Sequence, residues 1–139
     1  MATLAQVIER VATVMASVAG IRKAPINPEE QMNVFPFAVV YPLDGESQFG
    51  TPGERLELDS IAVELHVARK DLPRDVQGAL PFVDSIPDAL MSDMVNTQWA
   101  NTIDTFESIS WTFGPLGWGG MDTLGFRFTV SGVKRRIVY

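Results

Sequence analysis

The chain has 139 residues, of which 46% are hydrophobic and 20% charged, with a net charge of −6 and no cysteine. That size suits one domain with its own core, and the lack of cysteine excludes disulfides and thiolate chemistry and fits a reducing compartment. Binding to a phosphate backbone comes from neutralising phosphates with Lys and Arg, so an acidic chain whose one basic cluster is Lys134-Arg135-Arg136 is a poor nucleic-acid binder.

Leu4, Val7, Ile8, Val11, Val14, Met15 and Val18 recur at i, i+3, i+4 and i+7 and predict a first helix with one buried stripe. Thr3 and Gln6 form a capping box at its start, and Gly20 stands where a C′ glycine ends a helix. Glu9 and Arg10 interrupt the apolar run that a signal peptide needs. After a loop over residues 21–34, Phe35, Phe37, Val39 and Tyr41 alternate and predict a strand with one strongly apolar face. Val40 suggests partial cover on the other face, and Pro36 belongs at the strand's start or at an edge.

Residues 42–55, rich in Gly, Pro and charge, read as a long loop or hairpin arm with Phe49 stranded in it. A second strand covers residues 56–68, with Ile61, Val63, Leu65 and Val67 on one face. Leu56 and Leu58 are out of phase with them, which predicts a bulge or bend near Asp59 and Ser60. Asp71 and Pro73 suit the start of a second helix. Val76, Ala79, Leu80, Val83, Ile86 and Leu90 hold one phase across Pro81 and Pro87, which predicts a single kinked helix with Pro81 toward solvent.

Residues 92–101 read as polar and irregular, with Trp99 among them. Ile109, Trp111 and Phe113, then Leu124, Phe126, Phe128 and Val130, alternate as two strands around a glycine-rich tip at 114–120. Val133 is out of phase, and residues 137–139 read as a last short strand or arm. No run approaches the roughly 18 apolar residues of a membrane span. The order α-β-arm-β-α-β-β predicts a two-layer α+β sandwich in one domain over 1–139. Two helices then cover a mainly antiparallel or mixed sheet of four to five strands.

Motifs for chemistry are sparse. His66 is the only histidine and sits at a polar position between Leu65 and Val67. It reads as a surface or interface histidine rather than a general base, which would need an orienting carboxylate and a nucleophile. Asp84 and Asp88, like Asp71 and Asp75, are spaced i, i+4 and read as a solvated helix face rather than a metal site. Gly114, Gly117, Gly119 and Gly120 lie between strands and lack the lysine of a phosphate-binding loop. The tip residues Gly114, Leu116, Gly117, Trp118 and Gly119 instead suggest a protein contact surface. Trp118 has two open readings, an anchor for a partner or a lid folded back over the sheet. Phe49 in the arm is a second candidate contact residue.

The stretch Phe35-Pro36-Phe37-Ala38-Val39-Val40-Tyr41-Pro42 resembles small virion proteins from the tail-assembly region of long-tailed bacteriophages. So do Glu64-Leu65-His66-Val67-Ala68-Arg69-Lys70-Asp71-Leu72-Pro73 and the tip at 113–126, and the likeness is to tail terminator, or tail completion, proteins. This resemblance implies a non-enzymatic structural protein without cofactor, metal or membrane partner. It implies a homohexameric ring that caps the tail tube, ends its elongation and joins tail to head. The implied partners are further copies of the chain, the tail tube protein and a head–tail connector protein. Double-stranded DNA would pass through without specific binding. The implied location is the tail–neck junction of the virion, after synthesis in the host bacterial cytoplasm. A head–tail connector nearer the portal is the alternative within this class. A small hydrolase or ligand-binding domain, built on His66, Glu64 and a serine, is the alternative outside it.

Overall fold

The computed structural model describes residues 2–29, 32–69 and 76–139. Its elements are α1 (Leu4–Ser17), β1 (Phe37–Gln48), β2 (Glu54–Arg69), α2 (Val76–Ala79), α3 (Phe82–Asn101), β3 (Ser108–Trp118) and β4 (Met121–Val138). The strands form one antiparallel sheet in the order β1-β2-β4-β3. The two long helices, α1 and α3, cover one face, so the chain is a two-layer α+β sandwich.

Local signals set α1. The Thr3 hydroxyl accepts from Gln6 N, and the Gln6 side chain accepts from Thr3 N, so two orphan donors are satisfied reciprocally. The helix stops at Ser17, earlier than Gly20 suggested. Gly20, at φ +93°, instead holds the third position of a turn closed by Ile21 N donating to Val18 O, where type II geometry favours glycine. Val7, Val11, Val14 and Met15 are buried against the sheet and α3. Arg10 on the flank of α1 donates Nε and Nη2 to the two Asp93 oxygens at 2.9 and 2.6 Å, a bidentate tie to α3.

Which face the helices cover differs from the expectation for β1. Ala38 and Val40 lie in the helix-covered core with Ile61, Val63, Leu65, Phe126 and Phe128. The larger apolar set of β1 faces the other way: Phe37 and Val39 form a second, smaller cluster with Met32. Phe35, Tyr41, Trp118 and Met121 pack against it. Both faces of β1 therefore carry apolar side chains, because a loop and a hairpin tip cover the face that lacks helices.

The arm is a sheet extension rather than a loop. β1 runs on to Gln48 and β2 begins at Glu54, while β4 pairs with β2 up to the Glu54–Val138 rung. The last residues thus belong to one long β4, and no fifth strand forms among the described residues. The register shifts at the expected level, between Pro42 and Asp44 in β1 and between Asp59 and Ile61 against β4. The extra residues fall in β1 and β4, and Gly132 at φ +68° supplies the left-handed position that such a bulge uses. At that level β2 itself runs straight through, and its own extra residue is Val67, where the register against β4 shifts between His66 and Ala68. Glu57 and Asp59 stay on the helix side, where Asp59 meets Arg135 Nε at 3.2 Å and Arg135 Nη1 donates to Ala2 O. Burial raises the Asp59 carboxyl above its usual range, and Arg135 offsets this only in part.

The second helical segment breaks where a kink was expected. α2 is a single turn, and α3 starts anew after Leu80 and Pro81. Pro81 O accepts from Asp84 N and Ser85 N, and only Pro87 lies inside the helix. Asp71, Pro73 and Asp75 lie outside the described residues. Of residues 92–101, the first six are regular helix rather than irregular, and 98–101 close α3 in a left-handed turn, with φ between 50° and 60° at Gln98, Trp99, Ala100 and Asn101. The turn drives Trp99 into the core, where Nε1 donates to Leu90 O at 2.9 Å and the ring stacks on Phe106.

Candidate functional site

The candidate contact residues occupy two ends of one long sheet. Phe49 follows the last residue of β1 and is 70% exposed. Gly114, Leu116, Gly117 and Trp118 belong to β3, and Gly119 with Gly120, at φ 57° and 79°, makes a two-residue hairpin turn closed by the Trp118–Met121 pair. β4 runs from that turn to the arm with 18 residues, so the two ends stand roughly 55 Å apart at about 3.3 Å per residue.

Trp118 packs within its own chain. Its Nε1 donates to Glu29 O at 2.8 Å, and its ring lies on the Met32–Phe37–Val39 cluster with an edge toward His66. These are the contacts of a lid over the helix-free face. Gly114 and Gly117 have open surroundings, with no heavy atom closer than 3.8 Å to an added Cβ. The glycine the fold needs most is Gly125, where an added Cβ would lie 1.8 Å from Leu65 O.

Sequence reading missed a third surface. Trp111 and Phe113 share the sheet face that α1 and α3 cover, packing edge-on and tilted on Phe126, yet they are 46% and 40% exposed. β3 is an edge strand, and the helices do not reach over it. Alternation marked these aromatics as core-facing, but the edge position that leaves them uncovered is a property of strand order. Met91 and Val95 add an exposed apolar stripe on α3.

His66 is the clearest correction. It is fully buried, stacked on Phe37 with ring centroids 4.5 Å apart. Register puts Phe37 directly opposite His66, on the face closed by Trp118. Nε2 lies 3.1 Å from Glu64 Oε1 and Nδ1 lies 2.6 Å from Thr123 Oγ1. A carboxylate only accepts, so Nε2 carries the proton that Glu64 takes. Glu64 also accepts from Tyr41 Oη and from Arg127 Nε and Nη2, the latter at 2.7 Å. Burial alone would raise the Glu64 carboxyl, but hydrogen bonds from His66, Tyr41 and Arg127 outweigh it and hold the group at about 2. Tyr41 is pushed up to about 12, first by burial and then by its bond to the Glu64 charge.

Thr123, His66 and Glu64 stand in the hydroxyl–imidazole–carboxylate order of a nucleophilic relay. The Thr123 and His66 side chains are both enclosed, so no substrate reaches the hydroxyl in this arrangement. What the cluster does is tie β1, β2 and β4 together across the helix-free face. Among the described residues no group of three or more His, Cys, Asp or Glu could hold a metal ion, and Asp84 and Asp88 are both exposed on α3. No helix among the described residues is long and apolar enough to cross a membrane. A scan against protein-family models finds no match, and a search of curated proteins finds none either.

Proposed function

We propose that the chain is a structural virion protein of long-tailed bacteriophages that assembles into a ring. The ring caps the tail tube, ends its elongation and joins tail to head. A closed ring needs head-to-tail contacts, in which one patch on each subunit meets a different patch on the next. The observation that carries the reading is the pair of unlike apolar features at opposite edges of the sheet. Phe49 is exposed at the end of the β1–β2 arm, while Trp111 and Phe113 lie open on edge strand β3. The resemblance of residues 35–42, 64–73 and 113–126 to tail terminator proteins supports the same reading. A net charge of −6 would leave DNA unattached as it passes through the channel. Tail tubes assembled without this protein are expected to vary in length, and adding it back should restore one length, as measured by electron microscopy. Tubes of uniform length in its absence would contradict the proposal.

A further inference from the structure

We propose that edge strand β3 takes up the arm strand of a second copy of this chain, so that the sheet continues from one subunit into the next. The pairing presupposes the head-to-tail ring, and it names the surfaces that build it.

β3 is an 11-residue edge strand without a charged side chain. Stand-alone proteins blunt such edges with charge, proline, bulges or cover. Among the described residues the one such device is Pro115, toward the hairpin turn, which leaves 108–114 open. The opposite edge is β1. Its first residues are occupied, because Ala38 N donates to Lys23 O and Arg22 N donates to Pro36 O. The arm stretch 44–48 has no strand on its outer side among the described residues.

Strand direction makes the two edges compatible. β1, β2, β4 and β3 alternate, so β3 and β1 run in opposite senses. A second copy in the same orientation, slid about four residues (roughly 13 Å) along the strands so that its arm 44–48 stands beside 108–114, brings its β1 antiparallel to β3, with the helices on the same side. Side chains then match by size. On the helix side the arm strand presents Gly45 and Ser47, by their rungs with Asp59 and Glu57, and β3 presents Trp111 and Phe113. Small residues facing large ones let the aromatics lie across the incoming strand. On the other face the hydroxyls of Ser110 and Thr112 meet the carboxylates of Asp44 and Glu46. Pairing of β1 with β1 would set those carboxylates against each other, which is destabilising.

The chain has no cysteine, so a cross-link scan has no background from native thiols. Glu46→Cys is combined in turn with Ser108→Cys, Ser110→Cys and Thr112→Cys, then oxidised and run without reductant. At least one pair should give a ladder of covalent oligomers, with each single variant at background. A covalent dimer from Ser110→Cys alone would show β3 pairing with itself and overturn the proposal. If the parent chain assembles but no pair cross-links, strand addition fails while the ring reading stands. If the parent stays monomeric even with tail tube present, both fail. Independently, Trp111→Ser with Phe113→Ser should weaken self-association at least about tenfold with an unchanged circular dichroism spectrum. Unchanged association in that variant would contradict the proposal.

Discussion

Glu64 concentrates most of the polar chemistry of this chain in one carboxylate. Its folded-state value of about 2 lies below the ordinary 4.5, so the native state binds its proton more weakly than the unfolded chain. The stabilisation is complete above pH about 4.5 and is lost as pH falls toward 2, and the shift corresponds to about 3 kcal/mol. Glu64→Gln cannot titrate, so the stability gap between parent and variant should narrow by about that amount between pH 5 and pH 2. A pH-independent gap in urea titrations would contradict the assignment. Trp118 offers a second residue-level test. Trp118→Phe keeps the ring over Phe37 but loses the bond to Glu29 O, and should cost about 1 kcal/mol. Trp118→Ala should cost about 3 kcal/mol by thermal melting, because the cluster beneath loses its cover. Glycines divide sharply. Gly125→Ala forces a Cβ onto Leu65 O and should abolish cooperative unfolding, whereas Gly114→Ala, with nothing within 4 Å, should fold and melt near the parent temperature.

Elements differ in how much of their geometry the sequence carries. α1 was legible because its stripe and its Thr3–Gln6 cap are local, and β3 and the first half of β4 because alternation over 109–113 and 124–130 is unbroken on either side of a Gly-Gly turn. The face that the helices cover was not legible for β1. Alternation separates Phe37 and Val39 from Ala38 and Val40, but the choice of face depends on Met32 and Trp118, which arrive from elsewhere in the chain. His66 was misplaced for the same reason, since its cover comes from Phe37 and Trp118. α3 hid its last turns because 98–101 leaves the right-handed helix, and no period announces a left-handed turn. That turn makes its own prediction. L-residues in this conformation cost about 1–2 kcal/mol each. Glycine tolerates it, so Ala100→Gly on this exposed position should raise stability by about 1 kcal/mol. A loss of stability, the usual result of Ala→Gly in a helix, would show that the left-handed turn is absent in solution.

At the scale of the whole molecule, a long four-stranded sheet is covered by helices on one face and by a loop and a hairpin tip on part of the other. Its two ends and its two edges are unlike, and an assembly with head-to-tail contacts needs such asymmetry. None of the apolar side chains left open at Phe49, Trp111 and Phe113 has a role inside the monomer that requires its exposure. The sequence showed these aromatics but not their strand order, so it offered the glycine tip and Phe49 as contact surfaces and read Trp111 and Phe113 only as the apolar face of a strand. The structure gives Trp118 intramolecular work and moves attention to β3 and the arm. The account is tested most directly by the mass of the particle the protein forms, measured by light scattering alone and with tail tubes and imaged by electron microscopy. It predicts a closed ring of identical subunits in one orientation, seated at the end of the tube. A monomer under every condition, or a two-fold dimer joined through like surfaces, would contradict it.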